Sequence, residues 1–140
     1  MTRQKFQTFF RFLIPAAALL AMAATLWAAV RIGGSSFKVN GQLARGHRYA
    51  GACPVDLTFD WGVIGSHPET VTYTVERSDG GQGRPRSVRL PGGNRSVPVL
   101  EHWRLGGNSP QFRNFSGWVQ LMIQSPEAAS NRISFTIHCR

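Results

Sequence analysis

Cys53-Pro54-Val55-Asp56-Leu57-Thr58-Phe59-Asp60-Trp61 alternates without a fault. Val55, Leu57, Phe59 and Trp61 fall on one side of an extended chain, and Asp56, Thr58 and Asp60 fall on the other. Successive side chains leave opposite faces of a pleated chain, so a period of two marks a half-buried β-strand. Reading outward, Thr70 to Arg77 repeats the pattern with Val71, Tyr73 and Val75 inside. Ser78-Asp79-Gly80-Gly81 stops that strand with turn chemistry. Toward the C-terminus, Gly117 to Gln124 sets Val119, Leu121 and Ile123 against Trp118, Gln120, Met122 and Gln124. Asn131 to Cys139 places Ile133, Phe135, Ile137 and Cys139 on one face.

Shorter strands are expected at Ser36 to Val39 and Ser87 to Leu90, and a longer one at Ser96 to Leu105. Pro91-Gly92-Gly93-Asn94 and Gly106-Gly107-Asn108 supply the turns between them. Glu127-Ala128-Ala129 is the one helical turn expected. Fifteen glycines and eight prolines in 140 residues suit many turns and few helices. The pattern predicts an all-β domain, a seven-stranded antiparallel sandwich. Trp61, Trp103 and Trp118 are assigned to its core.

Cys53 opens the second predicted strand and Cys139 closes the seventh. Strand parity puts both at the same end of the sandwich, within reach of a disulfide. That bridge is expected in an oxidising compartment. No Cys-x-x-Cys or Cys/His spacing suggests a metal instead.

The N-terminus agrees. Arg3, Lys5 and Arg11 precede an uncharged run from Phe12 to Val30. Basic residues followed by an apolar core are the order of an export signal. Ala21-Met22-Ala23 offers small residues for cleavage before Ala24. The whole run is also about long enough to span a bilayer as a retained anchor, with the C-terminal domain outside. No cysteine follows the run closely, which argues against lipid attachment. The organisation expected is therefore 1-30 signal peptide or signal-anchor helix, 31-35 linker, and 36-140 sandwich.

The chain carries a net charge of +9. Only Lys5 and Lys38 are lysine among its basic residues. An arginine skew of this kind suits a GC-rich bacterial genome.

The residues resemble a family. Cys53-Pro54-Val55, Val71-Thr72-Tyr73, Glu76-Arg77-Ser78-Asp79-Gly80 and Trp103-Arg104-Leu105-Gly106-Gly107 look like a small Ig-like domain of exported bacterial proteins. Gly117-Trp118-Val119, Ser125-Pro126, Ser130-Asn131-Arg132 and Phe135-Thr136-Ile137-His138-Cys139 continue the match. The resemblance covers about Phe37 to Arg140 and rests on turns, a core tryptophan and the bridge cysteines. It implies an Ig-like/fibronectin-III-like sandwich and brings no chemistry with it.

No catalytic constellation accompanies these motifs. His47, His67, His102 and His138 are scattered, and no Gly-x-Ser-x-Gly elbow exists. Asp56 and Asp60 share a strand face but stand about 13 Å apart along it, too far to share a proton. The chain is read as a non-enzyme without cofactor or metal.

Two binding features stand out. Arg84, Arg86, Arg89 and Arg95 form the densest charge cluster, without an acidic neighbour in the run. Guanidinium forks suit phosphate, sulfate and carboxylate. Phe112 and Phe115 lie in the long connection before the sixth strand and suit stacking contacts. The expected function is an exported binding module at the bacterial cell envelope, taking an anionic polymer or protein partner. The alternative is a secreted inhibitor or effector that blocks an enzyme through its loops. A membrane partner follows only if the N-terminal segment is retained, and export argues against nucleic acid.

Overall fold

A computed structural model describes residues 30–107, 109–110 and 113–140. The expected signal or anchor segment lies outside the described residues, apart from Val30. Ten strands follow in order: β1 (Val30–Val39), β2 (Gln42–Leu43), β3 (Arg48–Gly51), β4 (Val55–Gly65), β5 (Pro68–Arg77), β6 (Arg86–Pro91), β7 (Ser96–Leu105), β8 (Asn114–Gln124), β9 (Glu127–Ala129) and β10 (Ile133–Cys139). Among the described residues no helix is long and apolar enough to cross a membrane.

The strands form two sheets. One runs β2-β1-β4-β7; the other runs β3-β10-β8-β5-β6, with β9 added to β8. Seven strands carry the sandwich, and β2, β3 and β9 are short additions. The expectation of seven strands in all is corrected to that extent. With β1, β4 and β7 facing β10, β8, β5 and β6, the order is that of an Ig-like β-sandwich.

The stretch that opened the reading is the core of the first sheet. Val55, Leu57, Phe59, Trp61 and Val63 are each at most 1% exposed. β4 pairs with β7 in unbroken register from Val55 opposite Leu105 to Ile64 opposite Ser96. Facing it, Val71, Val75, Val119, Leu121, Ile123, Ile133 and Ile137 close the second sheet. Fully burying one such side chain stabilises the fold by about 1.5–3 kcal/mol. Phe37, Phe59 and Phe135 meet in a triangle with centroids 5.1–5.4 Å apart, one ring from each of β1, β4 and β10. That triangle locks the two sheets together at the centre.

Four expectations give way. Residues 31–35, read as a linker, are the first half of β1, where Arg31 pairs with Ile64 and Ile32 with Val63. Gly33 and Gly34 sit at a register shift between Ile32 and Ser35, so their turn chemistry bends a strand rather than ending one. Glu127–Ala129 is β9, because its backbone finds partners in β8 before a helical turn can close. The pairing is not wholly antiparallel, since β3 lies parallel to β10. Trp118 belongs to the outer face of its strand and lies under the Arg132 guanidinium, 3.9 Å from the ring centroid.

Cys53 and Cys139 are joined, with Cα atoms 5.4 Å apart and a sequence separation of 86. A loop of that length yields about 4–5 kcal/mol in the chain-entropy account.

Candidate functional site

Strand direction decides which loops meet. β4 starts, β5 ends, β6 starts, β7 ends, β8 starts and β10 ends at the disulfide. The β3–β4, β5–β6 and β7–β8 connections therefore gather there with Arg140. The opposite end holds the connections β4–β5, β6–β7 and β8–β9.

The β5–β6 connection is built around Asp79. Its Oδ1 accepts from the Gly81 N–H at 2.9 Å and from Arg77 Nε at 3.0 Å, while Oδ2 takes Arg77 Nη2. Gly80 holds a left-handed φ of 78°, which the tight turn requires. The Arg77 hydrogen bonds, then the Gly81 N–H, hold the Asp79 carboxyl down to about 2. The same pairing raises Arg77 above its ordinary value. Both side chains are largely exposed, so solvent screens the pair.

Arg77 continues the inward parity of Val71, Tyr73 and Val75, and thus turns under the sandwich edge. Its guanidinium lies 5.1 Å from the Trp103 ring centroid. Trp103 packs on Phe59 at 4.9 Å and donates from Nε1 to Glu101 at 3.2 Å. Phe115 stacks on Phe135 at 5.7 Å.

Three hollows lie at this end, and the first two share Arg77. The first, about 260 Å³, is lined by Arg77, Asp79, Trp103, Arg104, Leu105 and Phe115. The second, about 280 Å³, lies across Arg77 and reaches Trp118, Glu76 and Gln82. The third, about 170 Å³, lies beyond Gly106 and is lined by Cys53, Gly107, Arg113, Cys139 and Arg140. Gly106 has a φ of 89°, and a Cβ there would stand 2.8 Å from Cys53 Sγ and 2.9 Å from Cys139 Sγ. The bridge and this glycine fix the floor between the first and third hollows. The Arg113 carbonyl accepts from Cys139 N–H at 2.7 Å, and Arg140 N–H donates to Gly51 at 2.9 Å, so both arginines stand on pinned backbone.

The predicted arginine cluster is not one surface. Arg86 pairs with Tyr73, whereas Pro91 at the far end of β6 pairs with Pro68. Those two β6 residues are about 17 Å apart, so the run stretches from one end of the sandwich toward the other. Alternation then splits it across faces. Arg86 has inward parity, lies 5.3 Å from the Tyr73 ring centroid and forms an ion pair with Glu101 across the sheets. Arg89 faces outward beside Thr70, Arg84 belongs to the disulfide end, and Arg95 to the opposite end. Phe115 is half-buried against the core, and Phe112 lies outside the described residues.

Arg77, Trp103 and Arg104, now the centre of the site, stood in the sequence as strand and turn residues. A charge at an inward-parity position was the available signal: Arg77 after Val75, and Glu101 between Val99 and Trp103. Asp56 faces solvent and meets Arg104 at 3.5 Å. His102 bonds Thr58 at 3.1 Å and His47 bonds the Ser134 carbonyl at 3.1 Å. His138 bonds Asn114. Among the described residues no three His, Cys, Asp or Glu side chains gather as a metal site.

No protein-family model matches the chain, and no curated protein is similar to it in sequence. Among solved structures, the chain is similar to the CARDB domain of the PF1109 protein from Pyrococcus furiosus, solved in complex with di-metal ions. Identity is 9% and the TM-score 0.46, covering 81% of this chain and 94% of that one.

Proposed function

We propose that this chain is an exported, non-enzymatic binding module of the bacterial cell envelope that grips an acidic protein partner at its disulfide end. The observation that carries the reading is the pair of hollows that share Arg77, one of them lined by Trp103. Loops on a rigid sandwich are where recognition commonly resides. Tryptophan and arginine are the residue types that dominate binding hot spots. Arg77, Arg84, Arg104, Arg113 and Arg140 collect at this end against Asp56, Glu76 and Asp79. The aromatic floor favours a protein over a bare polyanion, which would need charge alone. The disulfide and the basic, then apolar, N-terminus support export.

The test is retention of solubilised envelope proteins on the immobilised domain. Arg84→Ser, Arg104→Ser and Arg113→Ser together should abolish a salt-sensitive bound species. Arg89→Ser with Arg95→Ser should leave it in place. Equal loss in both variants would contradict a site at the disulfide end.

A further inference from the structure

We infer that the end of the sandwich opposite the disulfide seats on the lipid headgroups of the membrane that holds the apolar run beginning at Phe12. The inference rests on the proposed envelope function in its membrane-held form. The uncharged run ends at Val30, and Val30 is already paired with Gly65 as the first residue of β1. Arg31 pairs with Ile64 immediately afterwards. No spacer therefore separates the apolar run from the sheet. Each residue of chain reaches about 3.5 Å at most, so a domain joined without a spacer cannot move far from the bilayer.

The point of entry also fixes which end faces the lipid. Gly65 closes β4, so the run joins the sandwich beside the β4–β5, β6–β7 and β8–β9 connections. Arg31 and Arg95 are exposed at this end, with His67 between the strands. Its carboxylates are Glu69 and Glu127. Glu69 shares the inward parity of Val71, and its Oε1 is buried, which leaves Glu127 as the exposed acid. Arginines at a bilayer surface are drawn to anionic headgroups.

The orientation has a functional consequence. β4 is 11 residues long, about 33 Å, so the disulfide end would project that far from the membrane. The basic hollows would then face a partner in the aqueous phase.

The test uses the full chain in phosphatidylcholine vesicles containing about one quarter phosphatidylglycerol, with a nitroxide on the headgroups. The chain has two cysteines and they are joined, so one introduced cysteine takes a fluorophore selectively. His67→Cys marks the proposed lipid side. Gln82→Cys, bridged to Glu76, marks a position about 26 Å further along β5 from Pro68. Strong quenching at 67 with little at 82 is expected. Replacing Arg31 and Arg95 by serine should reduce the quenching at 67 about twofold. Flotation of the chain with equal quenching at both positions would overturn the orientation alone. Failure of the full chain to float with vesicles would overturn the membrane-held form and the orientation together.

Discussion

The two ends of the sandwich are made by the same strands, yet they close in different ways. At the disulfide end a covalent bridge and the backbone of Gly106 sit between hollows lined by Arg77, Trp103 and Arg113. At the opposite end the connections are short and bonded to each other. Gly93 N–H donates to the Ser66 carbonyl and Asn94 N–H to the Gly65 carbonyl, both at 3.1 Å. One end uses a cross-link to tie Cys53 to Cys139 beside apolar and cationic surface. The other uses backbone hydrogen bonds to zip two turns shut. One core thus carries two ends that are closed by different means.

The largest expected effect breaks the first end. Cys53→Ala with Cys139→Ala should cost about 2–5 kcal/mol, read as a lower thermal midpoint than the wild type. An unchanged melt would show that the bridge constrains nothing. Gly106→Ala comes next, at about 2–3 kcal/mol, from a Cβ forced into a left-handed backbone and against the sulfurs. Gly92→Ala makes the matched change at the other end. Its φ is 77° and the added Cβ would stand 2.7 Å from Pro68 N. The comparison sharpens in the background lacking both cysteines. There the Gly106→Ala penalty should shrink and the Gly92→Ala penalty should persist, as a double-mutant cycle by urea unfolding can measure.

Glu101→Gln should cost about 1 kcal/mol. It removes the ion-pair partner of Arg86 and weakens the acceptor for Trp103 Nε1, both at the edge joining the sheets. Chemical denaturation would read that loss, and no loss would mean that solvent screens the link entirely. The smallest effect is on acid stability. Asp79 has a folded pKa of about 2 against an ordinary 3.8. A depressed carboxylate stabilises the fold above its ordinary value and loses that contribution as pH falls through 3.8 toward 2. Asp79→Asn should therefore flatten the acid limb of a pH-stability curve in that window. A limb as steep as the wild type's would assign the slope to other carboxylates.

The strands with strict alternation were legible in the sequence. β4 and β10 each bury one complete face, β5 and β8 bury the central part of one, and burial enforces the period of two. β3 escaped because its pairing is settled by neighbours far along the chain, Thr136–Cys139, whereas β9 escaped because it is a three-residue hairpin return onto Met122–Gln124, too short to show an alternation. A distant partner such as that of β3 overrides local propensity. The bridge was legible because parity alone brings Cys53 and Cys139 to one end.

The site was less legible for a related reason. Closeness in sequence suggested that Arg84, Arg86, Arg89 and Arg95 act together, but a strand separates neighbours by both face and length. The residues that do meet, Arg77, Trp103 and Phe115, come from three different strands. Only the sheet order brings them together. Trp118 was misassigned against the alternation of its own strand, which already set it opposite Val119, Leu121 and Ile123; Arg132 covers its ring on that outer face.

The most direct test of the account places a photo-crosslinking residue at Arg104, which is 70% exposed, and separately at Arg95 on the opposite end. Irradiation of the chain in intact envelope should give a protein adduct from position 104 and none of that mass from position 95. The same adduct from position 95, with none from position 104, would contradict recognition at the disulfide end.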